Sequence, residues 1–336
     1  MLATPAATIE IPTADIHPVR GDLYIPPGNP AGLVVLCHGF KGYKTWGFFP
    51  YVAGRLRDAG LAAVSIDFSF NGTLGVEETE EKTSGSAHPL TVYVRPDLFR
   101  ANTLKRERAD LASVMRFITE GKLDAYLKGP APVGLFGHSR GGVVAFLHAV
   151  EHRDVDALCT WSIPASPDIF DARQIEKWRR QGEYDFTNAA DGTRLSVAVD
   201  FLDDLYANHD LYDLRRQAPR LRTPHLIVHG ELDLAVDVEQ ARSLFDAEES
   251  LDDKRLLIVR TGHLFGIPYP PLHATDAFPG PARSETAHPS GSAAAPSGEP
   301  SGRNQRAPAT GDPPAALVKA ADATVDWFST HLGKGE

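Results

Sequence analysis

Gly137-His138-Ser139-Arg140-Gly141 is the stretch on which the fold turns. The apolar run Val133-Gly134-Leu135-Phe136 leads into it, and Gly142-Val143-Val144-Ala145-Phe146-Leu147 leads out. The first predicts a short buried strand and the second the start of a buried helix. A serine between two glycines at a strand-to-helix turn is the nucleophile-elbow pattern. The glycines are needed because the turn is too tight for side chains at those positions. Strain in the turn lifts the Ser139 hydroxyl above the sheet edge. The helix N-terminus beyond it offers unpaired backbone N–H groups to a developing oxyanion. Ser139 as a plain helix N-cap is the alternative for that residue.

A serine hydroxyl is a poor nucleophile until a base takes its proton, and the base must be held by a third group. The elbow therefore predicts an acid and a histidine downstream, in that order. His229-Gly230-Glu231-Leu232-Asp233 follows the apolar run Leu226-Ile227-Val228 and places Asp233 in the loop after that strand. Thr261-Gly262-His263 follows Leu256-Leu257-Ile258-Val259 at the equivalent point one strand later. Neighbouring strand ends bring such loops together above the sheet. Asp237 is the competing acid, but it stands just before a predicted helix, where N-capping accounts for it. His38, His138 and His229 lie inside the motifs and are read as packing or hydrogen-bonding residues. Upstream, His38-Gly39-Phe40-Lys41-Gly42 follows the strand Leu33-Val34-Val35-Leu36-Cys37. The Phe40 and Arg140 amides are the candidate oxyanion donors. The Arg140 side chain either points outward or contacts an acidic substrate group, the first being the preferred reading. Trp46 and Phe48, just after this loop, are candidate pocket residues, with core packing as the alternative.

Strand and helix patterns alternate along the rest of the chain. Strands are expected near residues 8–12, 21–25, 32–37, 61–66, 157–163, 224–228 and 255–259. Helices are expected over 48–59, 103–119, 238–245 and 314–332. That alternation predicts a mostly parallel sheet covered on both faces. In the 103–119 helix, Leu104, Leu111, Val114, Met115 and Ile118 form the apolar side; Lys105, Arg106, Glu107, Arg108 and Asp110 read as a solvated face. Two segments break the rhythm. Residues 164–219 carry short helical pieces between two core strands and read as a cap-like insertion or a long crossover; Trp178, Tyr184 and Phe186 there are pocket or core. Residues 268–313 are rich in Pro, Ala, Gly and Ser, and the middle of the segment is read as a disordered loop. The whole, residues 1–336, is read as one domain.

The composition narrows the function further. Of 336 residues, 42% are hydrophobic, enough for a sizeable core, while the net charge of −10 argues against nucleic acid as a partner. No apolar stretch approaches the roughly 20 residues of a membrane helix. No secretory signal is read at the start of the chain. The two cysteines, Cys37 and Cys159, sit in apolar runs and read as buried thiols of a cytoplasmic protein. No Cys/His cluster suggests a metal, and the serine chemistry calls for no cofactor.

With these motifs in hand, the chain resembles the α/β-hydrolase superfamily, of the dienelactone-hydrolase-like or serine-esterase kind. The resemblance rests on Leu36-Cys37-His38-Gly39-Phe40, Gly137 to Gly142, His229 to Val236 and Gly262-His263, and runs from about residue 20 to the C-terminus. It implies an α/β-hydrolase fold, with Ser139 as nucleophile, Asp233 as acid and His263 as base. Dienelactone hydrolases commonly carry cysteine as nucleophile; serine here favours simple ester hydrolysis of a small molecule. The segment 268–313 departs from the usual short loop after the histidine. Two other functions stay open: amide or peptide hydrolysis with the same residues, and a non-catalytic binding protein on the same fold.

Overall fold

The longest apolar runs become central strands because helices cover both of their faces. Leu33–Cys37, Ala62–Asp67, Val133–His138 and Ala157–Trp161 are buried along their whole length. In the computed structural model the described residues are 3–78, 90–188, 192–268, 272–274 and 312–333. Eight strands form the main sheet in the order Ala7–Ile11, Val19–Tyr24, Ala62–Asp67, Leu33–Cys37, Val133–His138, Ala157–Trp161, His225–Gly230, Lys254–Val259. The last six run parallel, and Val19–Tyr24 joins them antiparallel. Helices Leu104–Thr119 and Arg140–Glu151 pack together, as do Phe49–Asp58 and Ala315–Leu332. The final helix is pinned by Thr324, whose hydroxyl accepts from the Trp161 indole at 3.0 Å. Cys37 and Cys159 are both free and buried. Among the described residues, no helix is long and apolar enough to cross a membrane.

Residues 164–219 lie between the strands Ala157–Trp161 and His225–Gly230. They contain the helix Ala172–Gln181, the hairpin Glu183–Thr187 with Arg194–Ala198, and the helix Asp200–Ala207. The helix Ala172–Gln181 starts at a capping box between Asp171 and Gln174 and stops at Gly182, which takes the left-handed conformation. The hairpin was not expected from the sequence. Its first strand, Glu-Tyr-Asp-Phe-Thr, alternates polar and aromatic residues over only five positions, too few to stand out. A second small sheet joins Thr73–Glu78, Leu90–Val94 and Leu272–Ala274. Apart from Pro268, that last strand and residues 312–313, the segment 268–313 lies outside the described residues.

One expectation fails outright. Glu107 and Asp110 are 1% and 3% exposed, so the charged side of Leu104–Thr119 is not a uniformly solvated face. Asp110 accepts the Ser69 amide at 2.8 Å and the Ser69 hydroxyl. Glu107 accepts from Arg140, the first residue of the helix Arg140–Glu151.

Candidate active site

Ser139 sits where the strand Val133–His138 turns into the helix Arg140–Glu151, with φ 53° and ψ −123°. A non-glycine residue in that region is strained and persists only where its surroundings over-determine it. Two close approaches do so. A Cβ on Gly137 would lie 2.5 Å from the Gly141 carbonyl oxygen, and one on Gly141 only 2.3 Å from that of Cys37. The Ser139 amide is tied to the Trp161 carbonyl at 2.8 Å. Ser139 occupies the N-cap position, yet its side chain makes no capping hydrogen bond. Capping therefore does not account for the hydroxyl.

The downstream acid and histidine meet. His263 Nδ1 lies 2.8 Å from Asp233 Oδ2. Asp233 Oδ1 accepts the Ala235 and Val236 amides, each at 2.9 Å, which fixes the carboxylate. Burial pushes the Asp233 carboxyl up, but hydrogen bonds and the nearby imidazole more than offset this and hold it below the usual carboxylate range. An ionised Asp233 sets the His263 tautomer: Nδ1 donates to the carboxylate, and Nε2 is left as the acceptor. Asp237 is elsewhere, capping Val238–Ala247 by accepting the Glu239 amide.

The motif histidines are scaffolding. His138 Nε2 donates to the carbonyl of His263 at 3.0 Å, and its ring stacks on Trp46. Burial, with His263 beside it, holds His138 far below the ordinary imidazole range. His38, pushed down to about 3 by burial, donates from Nδ1 to the Gly39 carbonyl at 2.9 Å and accepts the Phe68 amide. His229 Nε2 donates to the Val236 carbonyl at 2.9 Å and so braces the loop that carries Asp233.

Ser139 and His263 both line one cavity of about 340 Å³, together with Phe40 and Arg140. Gly39 brings the Phe40 loop against the elbow: a Cβ there would lie 3.0 Å from the Ser139 Cβ. Among the described residues, neither the Phe40 nor the Arg140 amide donates to a protein acceptor. Trp46 is on the cavity lining. Phe48 is not: it is fully buried behind, packed on His138, Trp161 and Phe265, a core position and not a pocket wall.

The Arg140 side chain does not point outward. Its guanidinium donates to Glu107 Oε1 and lies over the Phe40 ring at 4.8 Å and the Phe201 ring at 5.5 Å. Asn102 donates to the same oxygen of Glu107 at 2.8 Å. This buried pair was missed in the sequence, although a signal existed. Glu107 falls on the stripe Leu104, Leu111, Val114, Ile118 at helical spacing, and a carboxylate there must find a partner. The aromatic side chains of residues 164–219, including Phe170 and Phe201, were likewise unplaced by pattern alone. Among the described residues, no group of three or more His, Cys, Asp or Glu side chains could hold a metal ion.

Comparison with known proteins agrees with this architecture. The family model described as "Alpha/beta hydrolase family" matches residues 34–278. No curated protein matches the chain. Among solved structures, the chain is similar to a dienelactone hydrolase from Anabaena variabilis, at 19% identity and TM-score 0.52, with 97% of each chain covered. It is also similar to Est1E from Butyrivibrio proteoclasticus, at 18% identity and TM-score 0.53, covering 77% of this chain and 91% of that one. A monoacylglycerol lipase from Paleococcus ferrophilus matches at 15% identity and TM-score 0.51, covering 73% and 90%. At such identities the structural likeness speaks to the fold. Together with the family match over most of its length, it makes this chain a member of the α/β-hydrolase family.

Proposed function

We propose that the protein hydrolyses carboxylic esters of small molecules through a covalent acyl-enzyme, with Ser139, His263 and Asp233 as its triad. The observation that carries this reading is the strained Ser139, uncommitted as a cap, facing the same cavity as a histidine oriented by a buried carboxylate. His263 Nε2 takes the Ser139 proton as Oγ attacks the ester carbonyl carbon. Asp233 holds the tautomer and stabilises the imidazolium. The Phe40 and Arg140 amides donate hydrogen bonds to the carbonyl oxygen as its negative charge develops, each donor being worth about 3 kcal/mol at the transition state. Collapse expels the alcohol, which leaves with the proton from His263. A water, activated by the same imidazole, then attacks the acyl-enzyme, and the acid departs. The chemistry needs no metal or organic cofactor, and the chain is expected to work in the cytoplasm.

A fluorophosphonate probe tests the mechanism directly. Labelling is expected at Ser139 in the folded protein and is expected to vanish in Ser139→Ala. A folded wild-type protein that never labels, and that turns over no member of an ester panel, would remove the proposal. Matched anilides should react far more slowly than esters; the reverse order would move the activity to amides.

A further inference from the structure

Away from Ser139 the cavity is walled by aromatic rings together with aliphatic side chains such as Leu104, Ile169, Val197 and Leu205. Phe170, Phe186 and Phe201, all from residues 164–219, line the cavity, and the fully buried Trp178 backs them. They hold one another in place: Trp178 stacks on Phe201 with planes 2° apart, while Phe170 and Phe186 stand edge-on to Trp178. Phe40 joins this cluster through Phe186, with ring centroids 4.7 Å apart, and so ties it to the loop beside Ser139. No acidic side chain lines the cavity among the described residues. Of its two basic side chains, Arg140 is already paired with Glu107. The other, Lys41, belongs to the loop of Phe40, outside residues 164–219. Tyr212, the remaining lining residue with an ionisable group in that segment, donates its hydroxyl to Asp204 at 3.0 Å. A charged group seated among the rings of residues 164–219 would lose its water, and among the described residues no charged side chain of that segment lines the cavity to receive it.

We infer that the physiological ester carries a flat, uncharged aryl group on one side of its scissile bond, seated against Phe40, Phe170, Phe186 and Phe201. The inference rests on the ester reading above and goes beyond it by naming the substrate class. Rings favour a ring: an aromatic pair gains energy from edge-to-face and offset contacts beyond the area it buries. A saturated ring of nearly equal size gains only the area.

The test compares esters of equal intrinsic reactivity. One series varies the acid: methyl propanoate, methyl 3-cyclohexylpropanoate, methyl 3-phenylpropanoate, and the last with a para-carboxylate. The other varies the alcohol: ethyl, 2-cyclohexylethyl and 2-phenylethyl acetate. In one of the two series, kcat/KM for the phenyl ester should exceed that of the unsubstituted ester by more than about 30-fold. It should exceed that of the cyclohexyl ester by about 2- to 10-fold, the worth of an aromatic contact. The para-carboxylate should be the poorer substrate by at least about 10-fold. Phe186→Leu and Phe201→Leu, with thermal unfolding as a check on folding, should narrow the phenyl-to-cyclohexyl ratio of kcat/KM, a ratio that any general loss of activity leaves unchanged. Turnover without phenyl preference in either series, a preference untouched by both variants, or a faster carboxylate would overturn the substrate class alone. Absence of turnover for every ester would instead remove the ester reading on which it stands.

Discussion

Glu107→Ala strips the buried partner from the Arg140 guanidinium. The Glu107 and Arg140 side chains are only 2% and 13% exposed, so water cannot replace the lost carboxylate. Removing one member of a buried ion pair costs about 3–5 kcal/mol, mostly because the survivor keeps its charge without a partner. The residual exposure of Arg140 argues for the lower end, about 3 kcal/mol. For a domain of this size that lowers Tm by roughly 4–5 °C. Glu107→Gln should behave differently. Its amide oxygen can still accept from Arg140 and Asn102, and it removes a charge that burial disfavours; the direction of the Glu107 pKa, raised by burial despite Arg140, says as much. Its cost should be about 1 kcal/mol, that of an ordinary hydrogen bond. The assay is urea and thermal unfolding of both variants, of Arg140→Ala, and of the Glu107→Ala/Arg140→Ala double variant. The cycle should return a coupling of about 1–3 kcal/mol. Because Arg140 also braces Phe40 and Phe201, Glu107→Ala should lower kcat more than it raises KM. Additive single variants, or a Tm within about a degree of wild type, would refute the claim that this charge is held by Glu107.

Asp233→Asn should keep the fold but leave His263 in the wrong tautomer, lowering kcat by about 10⁴-fold with modest change in KM; a loss under tenfold would remove Asp233 from the triad. Burial raises the Asp110 carboxyl to about 7, against the pull of Ser69, so the folded state binds a proton that the unfolded state has released. Stability contributed by that group is therefore present at acid pH and lost as pH rises toward 7. The stability of Asp110→Asn relative to wild type should accordingly climb between about pH 4 and 7 and then level; a pH-independent difference in urea midpoints would exclude this. Gly141→Ala should prevent the elbow from closing, since its methyl would strike the Cys37 carbonyl; wild-type probe labelling in that variant would show the turn to be looser than described.

Much of this molecule is local and so was legible. Buried strands announce themselves as apolar runs, and Val133-Gly134-Leu135-Phe136 or Leu226-Ile227-Val228 have no other use at that length. The glycines around Ser139 encode a turn because backbone crowding leaves no room for Cβ. With strand order inherited from the alternation, the loops bearing Asp233 and His263 had to be neighbours, and they are joined at 2.8 Å. Non-local relations were not legible. Whether Glu107 faces water or Arg140 depends on how two helices and the elbow pack, and its own helix contains charges of both kinds. Phe48 and Trp46 are near neighbours with similar chemistry and both are buried in the core, yet only Trp46 reaches the cavity lining. The aromatic cluster is likewise decided in three dimensions: Phe170, Trp178, Phe186 and Phe201 have no common period, and only the folded chain brings their rings together. Sequence sets which backbone shapes are sterically allowed and which side chains shun water. Tertiary structure alone selects their partners, because burial energy depends on neighbours far along the chain.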